Sequence, residues 1–66
     1  MLMKATLEET LRSLEALTAS LVEDVRTAPE HEALSPEIRL RKEALLTTRV
    51  LVSKLHMVRT LCWPPE

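Results

Sequence analysis

Residues 36–62 read PEIRLRKEALLTTRVLVSKLHMVRTLC and predict one long helix that is apolar on two faces. One arc of this helix collects eight small or apolar side chains: Leu40, Ala44, Leu45, Leu51, Val52, Leu55, Val58 and Cys62. A second stripe lies on the far side and contains Leu46, Val50, Met57 and Leu61. A helix that is apolar on two sides needs cover on both of them. We expect the first arc to close the hairpin against the rest of the chain and the second stripe to remain for a partner.

The preceding residues predict a helix with one apolar face, over about residues 7–28. Its seam follows alternating spacings of four and three through Leu7, Leu11, Leu14, Thr18, Leu21, Val25 and Ala28. The sequence Thr6-Leu7-Glu8-Glu9 fits a capping box, so we expect the helix to begin there. Pro29 should end it, because the residue before a proline disfavours helical dihedrals.

Residues 29–35 then form a loop, and its shortness predicts that the two helices run antiparallel. Ser35 is a preferred N-cap, Pro36 suits the first helical position, and Glu37 suits the dipole of the first turn. Pro64 and Pro65 forbid continuation beyond about residue 62. The sequence therefore predicts an all-α fold, with residues 1–66 as one antiparallel helical hairpin.

The chain of 66 residues is too short to bury a large core, since a domain of this size hides only about 60% of its unfolded surface. Cys62 is the only cysteine, so an intramolecular disulfide is impossible and a reducing compartment is favoured. Oligomerisation remains as a source of stability. We expect dimerisation to complete a four-helix bundle, or the hairpin to join a hetero-oligomeric helical complex. The expected partner interface is Leu46, Val50, Met57, Leu61 and Trp63.

Trp63 follows the second helix and has two possible roles. It could be a lid on the open end of the hairpin near Met1–Met3, or an anchor that inserts into a partner.

Charge divides unevenly between the two halves of the chain. Residues 1–34 carry three basic and seven acidic residues, giving −4, while residues 35–66 carry six basic and three acidic residues, giving +3. This asymmetry favours contact between the halves or between neighbouring copies. If residue 28 lies beside residue 36, Glu8 should meet His56 and Glu15 should meet Arg49.

Catalytic, metal and cofactor chemistry find little support in the sequence. A Cys–His nucleophile needs both groups within hydrogen-bonding reach, and Cys62 and His56 point about 120° apart on one helix. The loop sequence Glu30-His31-Glu32 falls short of zinc-site patterns, and a chain without glycine has no glycine-rich phosphate loop. We therefore expect no enzyme activity, no metal and no cofactor.

The charged surfaces of the two helices bear on nucleic-acid and membrane binding. Lys42, Arg49 and His56 form a basic flank that could follow the phosphate backbone of a nucleic acid. The net charge of −1 argues against nucleic acid as the partner, so this stays the second alternative. The polar face of the first helix is acidic and no apolar run nears about 20 residues, so we expect no membrane contact. We expect an intracellular protein, in the cytoplasm or nucleus.

The predicted function is a non-enzymatic protein–protein interaction or oligomerisation module, acting as an adaptor or a small subunit of a complex. It would assemble through the second apolar face of the second helix. The alternative is a nucleic-acid-associated regulator that uses the basic flank.

Overall fold

The computed structural model describes residues 1–65, which contain two long helices and no strand. Helix α1 spans Lys4–Thr27, helix α2 spans Pro36–Cys62, and a short 3-10 helix, Glu30–Glu32, lies between them. Residues near the start of α1 contact residues near the end of α2, so the helices are antiparallel. The molecule measures 50 × 21 × 14 Å. The all-α helical fold and the hairpin arrangement are confirmed.

The predicted capping box at the start of α1 is wrong. The helix begins one turn earlier, at Lys4, and its N-cap residue Met3 makes no side-chain capping bond. Lys4 and Ala5 are good helix formers, and the Lys4 ammonium lies 4.0 Å from the Glu8 carboxylate one turn on. Nothing therefore stops the helix at Thr6.

Both ends of the connection follow local rules. Ala28 is extended, with ψ of 134°, because Pro29 excludes helical dihedrals there. The predicted N-cap of α2 is confirmed, since the Ser35 hydroxyl accepts a hydrogen bond of 3.3 Å from the Ile38 amide. Residues 30–32 form a 3-10 turn within the predicted loop. These features bring α2 back along α1.

The core between the helices is small. Its buried apolar side chains are Leu7 and Leu11 of α1 and Ile38 and Leu45 of α2. Thr48 is also buried, and its hydroxyl donates to the Ala44 carbonyl at 2.7 Å, which satisfies the polar group without a partner from α1. No side chain of residues 1–65 is fully buried.

The arc of α2 predicted to close the hairpin is only partly correct. Leu45 is buried, and Val52, Leu55 and Val58 are half-buried, but Leu40, Ala44, Leu51 and Cys62 are exposed. The interface is instead rotated toward Ile38 and Thr48. A threonine that bonds its own helix can lie inside, so the buried seam need not follow the most apolar line.

Replacing Ser35 by alanine tests how far the hairpin depends on the cap of α2. We expect Ser35→Ala to lower the free energy of unfolding by about 1 kcal/mol, because the Ile38 amide loses its acceptor. The matched control is Ser20→Ala, at an exposed position inside α1, which should leave stability unchanged or slightly raised. Urea denaturation followed by circular dichroism at one protein concentration measures both. Equal losses for the two variants would show that the cap is not specifically important.

Candidate functional site

The most prominent surface of the hairpin is an exposed apolar face along α2. The four predicted aliphatic interface residues are all exposed: Leu46 at 64%, Val50 at 55%, Met57 at 60% and Leu61 at 81%. Leu40 at 66% and Leu51 at 43% extend the same surface. These six residues are called the exposed apolar face below. It is larger than predicted, because Leu40 and Leu51 remain exposed in the hairpin.

Helix α1 has no comparable surface. Leu17, at 48% exposure, is its only exposed large apolar side chain. The exposed residues Met1, Leu2 and Met3 precede the helix, and Leu34 lies in the connection. Single exposed apolar residues are normal on folded proteins, but six along one helix make α2 the candidate for an interaction surface. The candidate site therefore belongs to α2.

Two polar contacts join the helices on one flank of the hairpin. The His56 Nε2 atom lies 2.9 Å from Glu15 Oε1, and the Arg59 Nε atom lies 3.5 Å from Glu8 Oε1. The predicted partners were wrong: Glu15 meets a residue seven positions beyond Arg49, and Glu8 meets one three positions beyond His56. Contact between the acidic side of α1 and a basic side of α2 was predicted correctly.

The direction of helical side chains explains the different partners. Each side chain leans toward the N-terminus of its own helix. In an antiparallel pair, an α1 side chain therefore reaches away from the connection, whereas an α2 side chain reaches toward it. Long side chains such as Glu15 and His56 therefore meet when their backbones lie at different heights along the helix axes. The partner on α2 has a higher residue number than the residue that lies directly opposite on the backbone.

The basic flank is a line of separate basic side chains along α2. Lys42, Arg49 and His56 are all exposed and follow one another at about 10 Å. Among residues 1–65, no carboxylate lies within 4.0 Å of Lys42 or Arg49, whereas His56 contacts Glu15. A carboxylate therefore sits at one end of the flank, and it would repel a phosphate there.

Trp63 follows α2 directly, at the free end of the hairpin. It is half-buried, and its backbone amide donates to the Arg59 carbonyl at 2.9 Å. With Lys4 of α1, it lines an open cavity of about 740 Å³ at the free end of the hairpin. Residues 1–3 do not border this cavity, so the role of Trp63 as a lid stays a prediction. The role of Trp63 as a partner anchor stays a prediction.

His56 and Cys62 both line this cavity, together with Arg59. The nearest partner of the His56 Nε2 atom is Glu15 of α1, at 2.9 Å. Cys62 is exposed at the end of α2. The cavity is thus a solvent-open notch with a mixed polar and apolar lining, where the helices end.

Within residues 1–65, no three His, Cys, Asp or Glu side chains are grouped so that they could hold a metal ion. Neither helix of this part of the chain is both long and apolar enough to cross a membrane.

Comparison of the chain with protein-family models, curated proteins and solved structures finds no match.

A double-mutant cycle tests the observed contact between the helices. We expect Glu15→Ala and His56→Ala to show a coupling of about 0.2–1 kcal/mol in the free energy of unfolding, the range of exposed polar and charged pairs. The cycle of Glu15→Ala with Arg49→Ala is the control and should show none. Urea denaturation at one fixed protein concentration provides the data. Coupling to Arg49 but not to His56 would contradict the observed register.

Proposed function

We propose that the protein is a non-enzymatic helical interaction module that assembles through the exposed apolar face of α2. The observation that carries the proposal is the exposure of six large apolar side chains along one helix, while only four apolar side chains are buried in the core. Covering this face would stabilise the small hairpin as well as its assembly. Folding and partner binding are therefore expected to be linked.

The shape of the face favours a helix as the partner. The exposed apolar residues extend from Leu40 to Leu61, a length of about 30 Å. A partner helix can follow a helical surface over that distance by packing its side chains between those of α2. Two hairpins that cover each other in this way would supply four helices, which is the simplest assembly that buries the face.

The chemistry of the face favours a structural role over a catalytic one. Aliphatic and thioether side chains bind by burial, and each contributes about 1.5–3 kcal/mol when it is fully covered. Their combined burial can offset the loss of translational and rotational freedom on association. We propose that the module serves as an adaptor or small subunit of a complex. The single cysteine favours a reducing compartment, such as the cytoplasm or nucleus.

Charged substitutions in the exposed apolar face test this function. We expect Leu46→Glu with Val50→Glu to abolish assembly, because burying two carboxylates in the interface is unfavourable. The helices should persist, since both side chains are exposed in the hairpin. Sedimentation velocity measures the assembly, and circular dichroism measures the helical content.

The matched control is Ala16→Glu with Ser20→Glu. These residues are also exposed and also four apart, but they lie on the solvent side of α1. The control adds the same charge and should assemble as the native chain does. A native chain that sediments as a monomer, melts cooperatively and is unaffected by the α2 substitutions would disprove the proposed function.

A further inference from the structure

The exposed apolar face is centred on a stripe of eight residues with coiled-coil spacing. Spacings of four and three alternate through Pro36, Leu40, Glu43, Thr47, Val50, Lys54, Met57 and Leu61. All eight are exposed, and Leu46 and Leu51 flank them. Such a line of positions is the seam along which two helices pack. Its two charged residues, Glu43 and Lys54, have opposite signs.

The stripe is complementary to itself when a second copy runs antiparallel. With a two-fold axis between Thr48 and Arg49, the facing pairs are Pro36 with Leu61, Leu40 with Met57, Glu43 with Lys54, and Thr47 with Val50. Each pair forms twice, because a two-fold interface repeats every contact. The axis passes through the middle of α2, so the two helices overlap over their whole length.

Glu43 and Lys54 favour this antiparallel alignment over the parallel alignment and over antiparallel alignments shifted by one heptad. In a parallel pair, each Glu43 would face Glu43 of the second copy, and each Lys54 would face Lys54. Sliding the antiparallel pair by one heptad places Glu43 opposite Thr47 or Leu61. Only the central antiparallel register brings Glu43 and Lys54 together. In the single chain, no oppositely charged group of residues 1–65 lies within 4.0 Å of either one.

The surface of α2 also has depressions in suitable places. One is bordered by Pro36, Arg39, Leu40 and Glu43. Two others are bordered chiefly by residues 47, 50, 51 and 54 and by residues 53, 56, 57 and 60. Each set has the spacing of a hole that accepts a knob in a coiled coil. The central register places Met57 of the second copy over the first depression and Leu40 of the second copy over the last.

We propose that the occupant of the exposed apolar face is a second copy of this chain, packed antiparallel through α2 with Glu43 facing Lys54 of the other copy. The dimer presupposes the proposed function, because it buries the same face. It further specifies the partner, the orientation and the register. The apolar pairs supply the affinity, and the two charge pairs exclude other alignments.

A distance measurement between spin labels on Cys62 tests the orientation. Cys62 is the only cysteine and is exposed at the end of α2, so the native chain can be labelled without substitution. The antiparallel dimer places the two labels about 40 Å apart, since about 27 residues of helix separate them. A parallel dimer would place them about 10 Å apart. Pulsed dipolar spectroscopy separates these cases, and the labelled Leu46→Glu, Val50→Glu variant should show no dipolar coupling.

A charge-exchange series tests the register. We expect Glu43→Lys alone, or Lys54→Glu alone, to raise the dissociation constant of the dimer about tenfold at low salt, because each creates two like-charged pairs. The double variant Glu43→Lys, Lys54→Glu should return to within about twofold of the native value. These residues lie about 16 Å apart on one helix, so recovery cannot arise within a single chain. Analytical ultracentrifugation measures the constants, and circular dichroism verifies that each variant is helical.

Failure of the dimer and failure of the proposed function give different results. A short Cys62 separation, or a double variant as weak as the two single changes combined, would overturn the antiparallel register while assembly through α2 stands. A native chain that aggregates without forming dimers, and becomes soluble with Leu46→Glu and Val50→Glu, would overturn the second copy as the partner and leave the proposed function intact. A cooperative monomer insensitive to those substitutions would overturn both.

Discussion

The structure depends on one constraint: a single amphipathic helix covers only one side of another helix. Helix α1 has one apolar seam, and it covers Ile38 and Leu45 of α2. Residues 1–65 contain no third long helix, so the opposite side of α2 stays uncovered there. The small core and the large exposed apolar face therefore have one cause, which is that no helix covers the second side of α2. A helix from another chain would enlarge the core and cover the exposed apolar face at the same time.

Features that depend on neighbouring residues could be predicted from the sequence. Ser35 caps α2 because its hydroxyl needs to reach only the amide of Ile38, three residues away. Pro29 ends α1 by steric hindrance with the residue before it. The exposure of Leu46, Val50, Met57 and Leu61 also followed from the sequence, since helical periodicity places them away from Leu45. Each of these predictions required one helix to be considered, not two.

Features that depend on how the helices meet could not be predicted in the same way. The predicted partners of Glu8 and Glu15 were wrong. They were found by pairing residues whose backbones lie at the same height along the two helices, and this ignores that each side chain leans toward the N-terminus of its own helix. Hydrophobicity alone assigned Leu40 and Leu51 to the hairpin interface. The structure turns α2 so that Thr48 is inside instead, which is possible because Thr48 bonds to the Ala44 carbonyl. The early start of α1 was missed because Lys4 and Ala5 favour a helix without any capping signal.

Two charged residues, Glu43 and Lys54, lie among the six residues of the exposed apolar face and would make an assembly through it selective. Glu43 and Lys54 remain solvated in the single chain, where they interrupt an otherwise apolar surface. Exposed ion pairs contribute little to stability, so their main effect in an assembly is to penalise arrangements that bring like charges together. A foreign helix would need matching charges of its own. A second copy already carries them, at equal distances on either side of the middle of α2, and that symmetry is what a two-fold interface requires.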